Sequence, residues 1–515
     1  MPAICFSSVR DGQHSTANEM PWLFLERLSP RLVFFVLVLL VAITSRPLLA
    51  QSVGVLHESI TCEGQPEQSY ALYLPSGYSP DRPWPIFYCF DPRAWGSEPV
   101  KRLQAAAERF GFIVVGSNNS MNGSWEGSEA AARAIYTDTH QRFTIDKNRI
   151  YTAGFSGGAR VACAVAAHWH FAGVLASGAS FPESNAPAEV PFVFYGCVGR
   201  SDFNYAEMKR VNESLERMRV RHRLVFHDGG HDWIPTSMAE EALGWFELHA
   251  MRMGWRPEDK ALINTLYVER MDRVRASRQD AEIYFQSLAI TADFDGLLDV
   301  TEPAGNVARL KDSAAVKKFL KVEKKDEQQE NRFLERLAAA AIAPPRVPQA
   351  EPRTRFSDGD QFGTGAPFSA RPDGGSNSFT RERDSSSDDW ARAEANRLAA
   401  IRTADPHEVL REVTANIQSQ ARASVAARRA LKGFAGMLLE EGLAAEKAGE
   451  LQKAVHAFEM STIVGPDPGW AFIGLARVYA RTGEKEKGRA ALQEARKNGF
   501  PDQKRISEVE KLLAP

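Results

Sequence analysis

Between residues 55 and 255, short apolar runs alternate with longer stretches in which apolar positions recur every three to four residues. The short runs at 69–74, 86–90, 112–116, 150–154, 173–177, 192–196 and 223–226 are rich in β-branched and aromatic residues. Several lack polar alternation, as strands buried on both faces do. The stretches 99–110, 126–143, 205–220 and 236–253 have helical spacing. Strand alternating with helix predicts an α/β fold with a mostly parallel sheet and helices on both faces. In such sheets chemistry gathers beyond the carboxyl ends of the strands.

After residue 256 the strand signals stop. Tyr267, Met271 and Val274, then Ile283, Phe285, Leu288 and Ala289, give helical spacing, and 317–326 reads as a charged, solvated helix. Residues 343–389 are dominated by Pro, Gly, Ser and charge, which bury little, and predict a disordered linker. Beyond it the chain repeats itself. An offset of 34 aligns Gly442 with Ala476, Gly449-Glu450 with Gly483-Glu484, Ala454 with Gly488, and Phe458 with Leu492. This period predicts paired helices, with the helices from Trp390 onward completing an all-α stack.

The N-terminus changes the picture again. Arg27 and Arg31 precede an unbroken apolar run at 32–43, closed by Thr44, Ser45 and Arg46. That run is short for a span of about 20 residues but suits the core of an export signal, with cleavage after Ala50. An uncleaved anchor is the alternative, and translation starts at Met1 or Met20. The expected organisation is therefore a signal peptide at 1–50, a sheet domain at 51–255, a helical region at 256–342, the linker at 343–389 and helical repeats at 390–515. The mature chain is expected to be exported, periplasmic or extracellular, without a transmembrane span.

Lys+Arg 63 against Asp+Glu 65 gives a net charge of −2, which argues against nucleic acid as a partner. Five cysteines without a CxxC pair predict neither a disulfide scaffold nor zinc. No metal or organic cofactor is required by the chemistry that follows.

After the run at 150–153 comes Gly154-Phe155-Ser156-Gly157-Gly158, followed by a helix-compatible segment. Gly-x-Ser-x-Gly in a strand–turn–helix context holds a serine hydroxyl on a strained turn whose neighbours must lack bulk. A serine attacks only when a base takes its proton and an acid orients that base. Asp202 follows the run ending at Gly196, with Asp228 and Asp232 as rivals. His231 follows the run ending at Phe226, and His227 reads as structural. The expected order is thus Ser156, Asp202, His231. An oxyanion hole would combine the N–H of Gly157 with one from the loop at 91–96, where Pro92 has none, leaving Asp91 or Arg93. Asn118, Asn119, Asn122 and Trp125, after the next run, are candidate substrate contacts.

These residues resemble the α/β-hydrolase superfamily, in the branch holding poly(3-hydroxybutyrate) depolymerase-like and feruloyl-esterase-like proteins. The carriers are Ile150-Tyr-Thr-Ala-Gly-Phe-Ser-Gly-Gly-Ala-Arg160, Asp202-Phe-Asn204 and Gly229-Gly-His-Asp-Trp233. The resemblance covers 60–255 and implies Ser156 as nucleophile, Asp202 as orienting acid and His231 as base. The tail resembles the tetratricopeptide repeat, which implies a protein or peptide partner or a packing role. Ser156 and Asp202 are too close in sequence to admit a lid domain, which predicts an open site for an ester on a bulky or polymeric molecule. The expected function is an exported serine esterase working through an acyl-enzyme. A serine peptidase and a non-catalytic interaction platform are the alternatives.

Overall fold

The computed structural model describes residues 51–123, 125–182, 187–341 and 406–514. The apolar run at 32–43, the cleavage site at Ala50, the linker at 343–389 and residues 390–405 lie outside the described residues. Eight strands form one sheet in the order β1-β2-β4-β3-β5-β6-β7-β8: β1 Leu56–Cys62, β2 Gln65–Tyr73, β3 Trp84–Phe90, β4 Ile113–Ser117, β5 Ile145–Phe155, β6 Gly173–Ser177, β7 Val193–Gly199 and β8 His222–His227. From β4 through β8 neighbours are parallel, while β1 and β2 pair antiparallel at one edge. All seven anticipated runs are strands.

The unanticipated strand is β1. Its polar, half-exposed face carries no strand pattern of its own, and it is a strand because its backbone pairs with β2. Strand β5 also begins earlier than its apolar run, because Ile145 pairs with Trp84.

Helices cover both faces, each over its own core. On one side α1 (Ser97–Phe110) and α5 (Thr236–Arg252) bury Val100, Leu103, Trp245 and Phe246 against Phe87 and Tyr151. On the other, α2 (Trp125–Arg142), α3 (Gly157–Trp169) and α4 (Tyr205–Arg217) bury Ile135, Ala162, Met208 and Val211 against Tyr88 and Val174. Cys62, Cys89, Cys163 and Cys197 are buried and unpaired. Burial pushes the Cys62 thiol up to about 12, away from reactivity at neutral pH.

An all-helical region follows. Helices α6 (Lys260–Ala276) and α7 (Asp280–Phe294) pack on the end of α5 through Ile263, Leu266, Ile290 and Leu248. Next come α8 (Thr301–Leu310) and α9 (Ala314–Ala341), and, after the undescribed stretch, α10 (Pro406–Gln420), α11 (Val425–Ala448) and α12 (Leu451–Val464). The helices on either side of 342–405 share one core, in which Phe333 and Leu337 of α9 meet Leu410, Leu431, Phe434 and Val464. The chain ends with α13 (Gly469–Thr482), α14 (Lys485–Lys497) and α15 (Gln503–Leu513). Gly449 and Gly483, the aligned positions of the 34-residue offset, both end helices in the left-handed conformation, with φ 79° and 83°. Among the described residues no helix is long and apolar enough to cross a membrane.

The helical region grips the sheet domain beside β7. Arg429 of α11 donates to Glu330 of α9 at 2.6 Å and to the carbonyl of Arg200 at 3.0 Å, and its guanidinium lies 4.4 Å from the Tyr205 ring centre. Glu323 of α9 accepts from the Tyr205 hydroxyl and pairs with Arg200 at 3.6 Å.

Candidate active site

Strand β5 runs straight into α3, with Ser156 as the single residue between them. Ser156 sits at φ 53°, ψ −125°, a conformation that L-residues rarely adopt and that the surroundings must hold. The glycines make this possible by steric necessity. A Cβ on Gly154 would overlap the Gly158 carbonyl, and one on Gly158 would overlap the Phe90 carbonyl of β3. Ser156 N–H donates to the Ser177 carbonyl at 2.9 Å, tying the elbow to the end of β6.

Ser156 Oγ lies 2.8 Å from His231 Nε2, and His231 Nδ1 lies 2.9 Å from Asp202 Oδ1. A carboxylate can only accept, so Nδ1 carries the hydrogen and Nε2 is left to receive the serine proton. Asp202 is fully buried, and its Oδ1 also accepts from Asn204 N–H at 2.8 Å. Two loops must coincide for this pairing, and their backbones are laced together. Arg200 N–H donates to the His227 carbonyl at 2.9 Å, and Ser201 N–H to the Gly229 carbonyl at 2.8 Å. A Cβ on Gly199 would overlap the Gly230 carbonyl, so glycine is needed where the loops cross.

Three supporting residues carry no sequence signal of their role. The His231 ring lies between Phe155, with centroids 4.6 Å apart, and Phe203, at 4.2 Å. Gly178, at φ +63°, lies under the acid–base pair; a Cβ there would stand 3.0 Å from Asp202 Oδ2 and 3.1 Å from His231 Nδ1. A glycine after β6 is a general turn signal, and only the meeting of three loops gives this one its purpose. The rival acids lie elsewhere. Asp228 is almost fully exposed beside Arg200, and Asp232 faces Arg102. Burial lowers His227 below the usual imidazole range, with Asp202 opposing.

The loop after β3 is arranged around a buried carboxylate. Asp91 accepts from Trp233 Nε1 at 2.8 Å, from Arg93 N–H at 2.9 Å and from the Arg93 guanidinium at 3.1 Å. The backbone amide of Arg93 is therefore directed at Asp91, not at Ser156. Asn118 and Asn119 are also spent on structure. Asn118 Nδ2 donates to Ser69 Oγ and the Glu58 carbonyl, while Asn119 accepts from Ser69 N–H and donates to the Glu67 carbonyl. They pin the β4–α2 loop to the edge strands. Asn122 is the residue of this loop that reaches the elbow, since a Cβ on Gly157 would overlap its Oδ1. Trp95, Met121 and Trp125 expose 51%, 43% and 42% of their surface on the same two loops. Among the described residues no cluster of His, Cys, Asp or Glu could hold a metal ion.

No protein-family model and no curated protein matches the chain. Solved structures do resemble it in fold. A ferulic acid esterase is 17% identical, with 37% of this chain and 96% of that chain covered and a TM-score of 0.31. The fluorophosphonate-binding serine hydrolase F of Staphylococcus aureus is 15% identical over 37% and 96%, with a TM-score of 0.30. The S-formylglutathione hydrolase of the same organism is 14% identical over 38% and 97%, with a TM-score of 0.31.

Proposed function

We propose that this protein is an exported serine hydrolase that cleaves carboxylic esters through an acyl-enzyme. The observation that carries the reading is the unbroken hydrogen-bonded chain from Ser156 Oγ through His231 to the buried Asp202, with the serine held on a strained elbow. Strain of this kind persists only where the surroundings enforce it, and no packing need is met by exposing a serine there.

In this mechanism His231 Nε2 takes the Ser156 proton as Oγ attacks the ester carbonyl. The imidazolium, facing Asp202 across Nδ1–H, then gives that proton to the departing alcohol. Water attacks the acyl-enzyme by the same route and releases the carboxylic acid. The exposed Trp95, Met121 and Trp125 offer an apolar, aromatic rim suited to a bulky acyl or alcohol group. The matched glycine caps at 449 and 483 support a tetratricopeptide-like reading of the tail, with a peptide or protein partner. Export rests on the apolar run at 32–43.

Labelling with a fluorophosphonate probe tests the reading. Wild type is expected to label and Ser156→Ala to remain unlabelled. Equal labelling, or none in either, would overturn the assignment.

A further inference from the structure

We propose that the side-chain carboxamide of Asn122 is the second oxyanion donor, acting beside the N–H of Gly157; this rests on the ester-hydrolase reading above.

Acyl transfer places a full negative charge on the former carbonyl oxygen, and a single donor leaves that charge half-held. In the loop after β3, where a second backbone donor is expected, Asp91 N lies 3.2 Å from where a Cβ on Gly158 would stand, and the three positions after it offer no free amide. Pro92 has no N–H, Arg93 N–H donates to Asp91 Oδ1 at 2.9 Å, and Ala94 N–H donates to the Asp91 carbonyl at 3.1 Å. Ala94 adopts φ 60° to close this turn. Freeing either amide would break the setting of a buried carboxylate that also anchors Trp233, two residues after His231.

Asn122 approaches the elbow from the neighbouring loop. Its backbone N–H donates to the Pro92 carbonyl at 2.9 Å, and its neighbour Met121 bridges to Arg93, so its root is fixed to the loop it would replace. Asn118 and Asn119 pin the same loop from the other side. The Asn122 carboxamide fills the space that a side chain on Gly157 would occupy, next to the N–H that serves as first donor. Asn122 is solvent-exposed, and its carboxamide oxygen is its atom nearest the elbow. A half-turn about its Cβ–Cγ bond exchanges the carboxamide oxygen and N–H₂ ends, so the amide presents a donor when negative charge develops. This also gives Gly157 a second reason to lack a side chain.

The step balances within the site. The Oγ–C bond forms as the proton passes to His231 Nε2, and the C=O π pair moves to oxygen, where Gly157 N–H and Asn122 Nδ2–H hold it. Collapse restores C=O and breaks the bond to the alcohol oxygen, which takes the proton from His231.

The test compares full-length wild type, Asn122→Ala and Asn122→Asp on 4-nitrophenyl acetate, with phenylboronic acid as a tetrahedral mimic. Asn122→Ala is expected to lose about 10²- to 10³-fold in kcat with KM changed by less than about threefold. The boronate inhibition constant should rise in step with the loss in kcat/KM, which a spacer role for Asn122 would not produce. Asn122→Asp, nearly isosteric but anionic, should lose at least as much. An alanine variant that keeps kcat within about threefold of wild type, or loses only KM, overturns the inference while leaving the esterase reading intact. A wild type that neither hydrolyses the ester nor labels with fluorophosphonate overturns both.

Discussion

The sheet half and the helical half bury their interiors in different ways. The largest fully buried side chains, including Trp84, Trp233, Trp245, Tyr151 and Phe246, all belong to the sheet half. The helical half closes instead around leucines and single rings such as Phe434 and Phe458, with alanines and glycines between them. Gly442 and Gly474 give Phe458 its place, since a Cβ on either would press into the ring. Large rigid rings make a scaffold that can hold a strained serine, while small residues let helices approach closely with little enforcement of any one loop. The two halves meet through charge. Arg200–Glu323 and Lys209–Glu327 cross the seam, and Arg429, paired with Glu330 inside the helical half, donates across it to the carbonyl of Arg200, two residues before Asp202. Gly433 of α11 also lies against Phe203, the ring that backs His231. The proposed chemistry therefore belongs to the sheet half, and the helical half packs against the loop that carries Asp202.

The sharpest way to break this comparison is to remove chemistry from the sheet half alone. Ser156→Ala and His231→Ala should each lower kcat by about 10⁴-fold or more, and the double variant should be little worse, because both groups serve one proton transfer. Multiplying losses in steady-state assays would mean that the two act separately.

The seam is tested next. Arg429 and Glu330 are 4% and 3% exposed at their side chains, and burial raises the Glu330 carboxyl while Arg429 lowers it. Arg429→Met should cost about 3–5 kcal/mol in urea unfolding, because it strands a buried carboxylate, and adding Glu330→Met should recover most of the loss. A single-variant cost below about 1 kcal/mol would place the junction's strength in its apolar contacts.

The smallest effect is in acid. Burial, with Arg221 and then Arg252 nearby, lowers His249 of α5 from the usual imidazole range to about 4. Unfolded, the same group protonates near 6.5. As pH falls from 6.5 toward 4 the unfolded chain binds a proton that the folded chain does not, so stability declines across that window. His249→Phe should flatten the decline by about 2 kcal/mol between pH 7 and pH 4.5. Unfolding curves with the same pH slope in both proteins would remove His249 from the cause.

Much of this architecture is legible in the residues alone. The apolar runs of β3 to β7 announce themselves because they are buried on both faces, so their composition answers to the sheet alone. The Gly154–Gly158 motif, the acid after β7 and the histidine after β8 are readable because each follows a strand end, where topology gathers chemistry. Strand β1 is not readable, since a half-exposed edge takes its structure from its neighbour's backbone. Asn118, Asn119 and Asn122 look alike in sequence, yet two are anchors and one lies on the elbow. The role of Asp91 is hidden for the same reason, as its partner Trp233 lies far along the chain.

Periodicity and local turn chemistry thus determined the order of elements, the position of Ser156 on its elbow and the residue types available to it, because these depend on neighbours in the chain. Only the tertiary structure decided that Gly178 lies beneath the acid–base pair, that Phe155 and Phe203 enclose His231, and that Arg429 of the helical half grips the loop of Asp202. Those contacts join residues from strands and helices remote in sequence. Their geometry is set by packing and desolvation, which no local pattern encodes.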